Sequence, residues 1–93
     1  MPEEAAEFET KDVLEASFFM CEDRISLVRP RIEPHRDGGG LTVYFVFSGV
    51  SIAEFAEMRR SFVNRKALVE PKMYAASLQE IRNILHDCRR GSR

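Results

Sequence analysis

Residues 41–47 read Leu-Thr-Val-Tyr-Phe-Val-Phe and carry the clearest structural signal in this chain of 93 residues. Every odd position is large and apolar, whereas the even positions are mixed. This period of two predicts a β-strand with one face buried in a core. Three glycines precede the strand, and the segment that follows it begins a helix, so local chemistry marks both of its ends.

A second strand is predicted just upstream, over residues 24–33. Its apolar residues alternate imperfectly around Pro30. Because proline cannot donate a hydrogen bond to a neighbouring strand, we expect this strand at a sheet edge, with a bulge near Pro30, or both. The polar segment 33–40 then joins the two strands as an antiparallel hairpin with a long tip.

The first of three predicted helices spans residues 10–21. Thr10 is expected to cap its N-terminus, and no glycine or proline interrupts it. The spacing of Leu14, Phe18 and Cys21 places them on one apolar face, which is the predicted buried face. Phe19 lies beside this face, so it either packs under a loop or is exposed for a partner.

The second helix has the best start signal in the chain. Ser51 and Glu54 match a capping box, and Val50 with Phe55 matches a hydrophobic staple. Asn64 is expected to end the helix in a left-handed conformation. The predicted buried face contains Ile52, Phe55, Ala56, Phe62 and Val63.

The third helix is predicted from Pro71 to about Arg90. A later start near Ser77 is an alternative, because Ser77 and Glu80 also match a capping box. The connector of residues 65–70 has an apolar centre and is expected to pack against the core. An unbroken apolar stripe runs along the helix through Tyr74, Leu78, Ile81, Leu85 and Cys88.

Together these elements predict an α+β fold in the order α-β-β-α-α, with three helices packed on an antiparallel β-hairpin. A chain of this length buries roughly 60–65% of its unfolded surface, which is enough for one core. We therefore expect a single domain over residues 10–90, a flexible acidic lead-in over 1–9 and a short tail over 91–93.

Composition indicates a folded cytoplasmic protein. No apolar stretch approaches the length of a membrane span, and the acidic start differs from the basic opening of a signal peptide. Cys21 and Cys88 do not form a Cys-x-x-Cys pair, so both are expected to be reduced and buried. We expect no contact with membranes.

Charge is distributed unevenly. Residues 1–23 contain eight acidic residues and one lysine, whereas residues 24–93 contain seven acidic and thirteen basic residues. A basic surface can bind nucleic acid, but an acidic first helix that lies across the basic remainder explains the same pattern. We prefer the second interpretation.

No combination of residues predicts catalysis. His35, His86, Cys21 and Cys88 lack the spacing of metal ligands, and no nucleophile motif occurs. Asp12 and Glu15 lie one turn apart, but a solvated acidic helix face explains both. We expect no enzymatic activity, no metal and no small-molecule cofactor.

Two binding functions remain open. The first is a protein-interaction or assembly module, with a homodimer as one form of it. A partner chain would pair with the edge strand or cover the open sheet face, and either contact would stabilise the fold. Its predicted contact residues are Phe19, Tyr44 and Val46. The alternative is nucleic-acid binding through the basic residues near the end of the second helix. These residues are Arg59, Arg60, Arg65, Lys66 and Lys72.

Several short motifs are similar to a family of small uncharacterised domains encoded by phages and bacteria. They are the segment from Phe8 through Thr10 and Asp12 into the first helix, the strand 43–47, and the segments 62–64 and 74–82. In that family an aromatic-x-Asn-Gly turn ends the second helix, whereas this chain has Arg65 at the glycine position. The resemblance implies the fold and no known activity.

Overall fold

The structure is a computed structural model that describes residues 6–91. A strand β1 (Glu7–Thr10) is followed by a helix α1 (Val13–Met20) and by strands β2 (Ser26–Pro34) and β3 (Leu41–Ser48). Helices α2 (Ile52–Val63) and α3 (Pro71–Gly91) complete the chain. The strands form an antiparallel sheet in the order β1-β3-β2, which confirms the α+β class.

Strand β1 is absent from the predicted order α-β-β-α-α. Its four residues pair with β3, and Phe8 lies opposite Phe47. The sequence pattern predicts that residues 7–9 belong to a flexible lead-in and that Thr10 caps the first helix. Thr10 instead ends β1, and the carboxylate of Asp12 caps α1 by accepting hydrogen bonds from the backbone N–H groups of Leu14 and Glu15. The rest of the lead-in, residues 1–5, and the tail residues 92–93 lie outside the described residues.

Strand β3 lies at the centre of the sheet, and one of its faces forms the floor of the core. Val43, Phe45 and Phe47 are buried, as the odd-position pattern predicts, and Leu41 is partly buried. Residues from all three helices belong to the same buried cluster, so the helices cover one face of the sheet. The main helical members are Ala16, Phe19, Phe55 and Ile81.

Strand β2 is an edge strand and is also bulged, as Pro30 predicts. Leu27 pairs with Phe47 and Arg29 with Val46, so Val28 is the extra residue. The turn after β3 passes very close to the start of β2. A β-carbon on Gly49 would lie 2.0 Å from the backbone oxygen of Arg24, and Gly49 has a φ of +130°, so only glycine fits there.

The buried face of α1 differs from the prediction. Ala16 and Phe19 are fully buried, whereas Leu14 is exposed and Phe18 and Cys21 are only partly buried. Phe19 contacts the rings of Phe8, Phe18, Phe47 and Phe55 at centroid distances between 5.5 and 5.8 Å. A helix of eight residues that is apolar on most sides has no single stripe from which its orientation can be read.

Helix α2 begins as predicted, since Ser51 and Glu54 form both hydrogen bonds of the capping box. Its buried face is narrower than predicted, because Ile52, Ala56 and Val63 are exposed. Asn64 is not left-handed as expected; the left-handed residue is Arg65, with a φ of +61°.

Two backbone hydrogen bonds close the end of α2. Arg65 N–H donates to Phe62 O, and Lys66 N–H donates to Ser61 O. This pattern is a Schellman motif.

Helix α3 begins at Pro71, which excludes the alternative start at Ser77. The residue before it, Glu70, caps the helix, because its carboxylate accepts a hydrogen bond from Met73 N–H at 2.6 Å. The predicted stripe packs mainly against α1, where Ile81 is fully buried and Tyr74 Oη donates to Leu14 O at 3.1 Å.

Candidate interaction surface

Two of the three predicted contact residues are buried. Phe19 is 0% exposed inside the aromatic cluster, so it has no surface to offer a partner. Val46 is 2% exposed, although its strand position places it on the face of β3 away from the helices. Tyr44 is partly buried on the same face. The assumption that these side chains are exposed is therefore wrong for Phe19 and Val46.

The outer face of the sheet is covered by its own charged side chains. Arg29 and Arg31 on β2 reach across β3 to Glu7 and Glu9 on β1, at 3.1 and 2.7 Å. Val46 pairs with Glu9 on one side and Arg29 on the other, so these long side chains cover it.

Tyr44 is covered in the same way. The guanidinium of Arg31 lies 4.2 Å from the centre of its ring. The arginine hydrogen bonds lower the pKa of Glu7 and of Glu9. The sheet's own charged side chains therefore cover its outer face without a partner chain.

Glu15 is buried and forms an ion pair with Arg59, whose side chain is partly exposed. Its carboxylate accepts hydrogen bonds from Arg59 Nε and Nη2, both at 2.7 Å, and from Thr10 Oγ1 at 2.6 Å. The Arg59 guanidinium also lies 4.5 Å from the centre of the Phe8 ring. Glu15 is therefore a structural residue that joins β1, α1 and α2, and it is not part of a solvated acidic face.

The environment of Glu15 acts on its pKa in two directions. Burial alone raises the pKa, but the hydrogen bonds from Arg59 and Thr10 outweigh burial, so the pKa of Glu15 is lowered. Both residues of the pair line a cleft of about 390 Å³, together with Tyr44 and Val63. Both oxygens of the Glu15 carboxylate already accept hydrogen bonds there.

The predicted nucleic-acid residues do not form one set of available cations. Arg59 pairs with Glu15, and Arg60 pairs with Glu57. Within residues 6–91, no salt bridge involves the other three members, Arg65, Lys66 and Lys72. They follow one another around the connector and the start of α3.

A partly apolar groove lies between α1, α2 and the connector of residues 65–70, and we call it the connector groove. It encloses about 320 Å³ and is lined by Phe18 and Met58 among other residues. Leu68 lies on its rim and is 94% exposed, which contradicts the expectation that the connector packs against the core. Val69 lines the groove beside it and is also exposed.

Charges around the connector groove are segregated by element. The turn after α1 contributes Glu22 and helix α2 contributes Glu57, whereas the connector contributes Lys66. A groove with an apolar interior and charged rims can hold one apolar side chain of another polypeptide while its rims pair with that polypeptide's charges. Sequence reasoning missed this site because it assigned the apolar centre of the connector to the core. The sequence feature that could have predicted this site is the apolar triplet Ala-Leu-Val, which has charged residues on both sides.

Metal binding and membrane insertion find no support in the described part of the chain. Across residues 6–91, no three histidine, cysteine, aspartate or glutamate side chains come together as a metal site would need. Over the same range no helix is both long enough and apolar enough to cross a bilayer. Cys21 is partly buried, and its thiol donates to Ser17 O at 3.4 Å.

Comparison of this chain with protein-family models, with curated proteins and with solved structures gave no match. The resemblance to a family of small phage and bacterial domains therefore stays a prediction.

Proposed function

We propose that this chain is a small non-enzymatic protein-interaction or assembly module whose contact surface is the connector groove. The observation that carries the proposal is Leu68, a large apolar side chain that is 94% exposed at the rim of an apolar cavity. An exposed apolar group beside an unfilled apolar cavity is the usual composition of the centre of an interface.

The groove is a better contact surface than the edge of the sheet. Val28 and Ile32 of strand β2 are exposed, but Pro30, Pro34 and the bulge interrupt the strand's row of hydrogen-bonding groups. Edge strands with prolines and bulges resist pairing with another strand. The uncovered face of the sheet is also a poor surface, since its own ion pairs occupy it.

Nucleic-acid binding is supported less well. Five arginines already pair with carboxylates, and phosphate contacts would have to compete with these pairs. Of the five residues predicted for this alternative, Arg65, Lys66 and Lys72 have no carboxylate partner within residues 6–91. Titration with mixed-sequence DNA and RNA at two salt concentrations tests it, because phosphate contacts strengthen as salt is lowered.

The proposal is tested with a photoreactive benzophenone amino acid placed at position 68 in the cells that produce the chain. We expect a covalent adduct with a protein at position 68 after illumination. The matched control carries the same amino acid at Ile32, which is 42% exposed on β2 and does not line the groove. Binding through the groove predicts a strong adduct at 68 and a weak one at 32.

A second variant shows whether the groove itself is needed. Met58→Lys places a charge inside the cavity on a partly buried helix position, and it should remove the adduct at position 68. Far-UV circular dichroism checks that this variant remains folded. Equal adducts at 32 and 68, or an adduct at 68 that survives Met58→Lys, would contradict the assignment of the groove.

A further inference from the structure

We propose that the occupant of the connector groove is a second copy of this chain, so that the protein forms a dimer with twofold symmetry. The inference rests on the proposed function, because it names the partner of the same groove.

The shape of the surface is self-complementary. Leu68 projects into solvent from the rim of a cavity lined by Phe18 and Met58. A twofold axis brings the same patch of two copies face to face, so the projecting residue of each copy meets the cavity of the other. One apolar contact is thereby made twice, and both exposed leucines are buried.

The charges are self-complementary as well. The α1–α2 side of the groove carries Glu22, in the turn after α1, and Glu57, whereas the connector side carries Lys66, which follows Arg65 in the chain. Glu22 also pairs with Arg24, whose side chain is 58% exposed. Rotation by 180° places the basic connector of one copy against the acidic rim of the other. Glu57 also pairs with Arg60 of its own helix, but both side chains are mostly exposed, so a second cation can approach. A partner of uniform charge would match only half of this surface.

Sedimentation equilibrium of the full chain between 1 and 500 µM, an interval of about three decades, tests the dimer. A monomer has a mass of 10.7 kDa, and we expect the average mass to rise toward twice that value with concentration. Lys66→Glu and Glu57→Lys should each raise the dimer dissociation constant on the order of tenfold, because each creates two like-charge contacts per dimer. Glu80→Lys, the same charge change on the exposed side of α3, should leave it unchanged.

Mixing the two charge variants gives the sharpest test. In a twofold interface, a Lys66→Glu chain paired with a Glu57→Lys chain restores opposite charges at both contacts. An equimolar mixture should therefore dimerise about as well as the original chain, whereas each variant alone does not. Circular dichroism of both variants confirms that they fold.

The outcomes separate this inference from the proposed function. A dimer that Leu68→Asp weakens and the mixture restores supports both. A chain that stays monomeric while position 68 still crosslinks to a different protein overturns the dimer and leaves the proposed function standing. A monomer without any groove-dependent adduct overturns both. A dimer whose dissociation constant is the same in all of these variants also overturns the inference, because its interface lies elsewhere.

Discussion

Arg65 occupies a backbone conformation that favours glycine. Its φ of +61° lies in the left-handed region, which costs a residue with a β-carbon roughly 1–2 kcal/mol. Glycine avoids this cost but gives up about 0.5–1 kcal/mol of chain entropy on folding. We therefore predict that Arg65→Gly stabilises the domain by about 0.5–1 kcal/mol, which thermal unfolding at low protein concentration would show as a rise of a few degrees in Tm.

The control for this prediction is Arg65→Ala, which removes the same charge but keeps a β-carbon. It should leave the free energy of unfolding close to that of the original chain. If the alanine variant is stabilised as much as the glycine variant, the gain comes from the loss of positive charge and the conformational explanation is wrong.

The ion pair between Glu15 and Arg59 joins three secondary-structure elements. Glu15 is 4% exposed, and its carboxylate connects β1 through Thr10 with α2 through Arg59. Breaking a fully buried pair costs about 3–5 kcal/mol. The Arg59 side chain is 43% exposed and can turn to water, so we expect Glu15→Gln to lose only about 1–2 kcal/mol at neutral pH.

The same variant should change how stability depends on pH. Because the pKa of Glu15 is lowered on folding, its contribution is complete above the ordinary value of 4.5 and is lost as pH falls through the folded-state pKa. Urea unfolding between pH 7 and pH 3 should therefore show a smaller loss of stability for Glu15→Gln than for the original chain. For Glu80→Gln, on the exposed side of α3, the free energy of unfolding should change with pH as it does for the original chain. Equal pH slopes for all three would contradict the role of Glu15.

Elements with a strong local signal could be predicted from the sequence. Strand β3 has a long period-two pattern, α2 has its capping box and α3 its unbroken stripe. Strand β1 was missed because it has four residues, and its partner on β3 lies about forty positions later. Local patterns do not encode such distant pairing.

The same limit applies to the candidate site. Glu15 and Arg59 are 44 positions apart, so neither residue alone predicts the pair. Val46 was expected to be exposed because even positions on a half-buried strand usually are. Here arginine and glutamate side chains from two other strands cover it. The exposure of Leu68 likewise depends on the course of the connector, which composition does not determine.

Across the whole molecule, the acidic first quarter of the chain is bound to the basic remainder. Glu7, Glu9 and Glu15 each pair with an arginine of β2 or α2. The preferred interpretation placed these acids on the first helix, whereas two of them lie on β1. Part of the uneven charge in the sequence is therefore neutralised by contacts within the fold, and Arg65 and Lys66 of the connector are among the cations without a carboxylate partner in residues 6–91.

This arrangement predicts how local stability varies through the molecule. The central residues Phe45–Phe47 have a strand on each side, so their amide hydrogens should exchange only when the whole domain unfolds. Amides of the connector around Leu68, which is exposed and outside any helix or strand, should exchange fastest. Native-state hydrogen exchange measured by NMR at low protein concentration tests this order, and rapid exchange in β3 would contradict its place at the centre of the core.

Repeating the exchange measurement at high concentration connects stability to function. If two copies meet through the connector groove, protection should rise at residues 66–69 and stay unchanged in β3, because only the groove gains contacts. The Lys66→Glu variant should lose this increase and regain it when mixed with Glu57→Lys. An increase spread evenly over the domain would instead indicate a general stabilisation, and the connector would then have no special part in assembly.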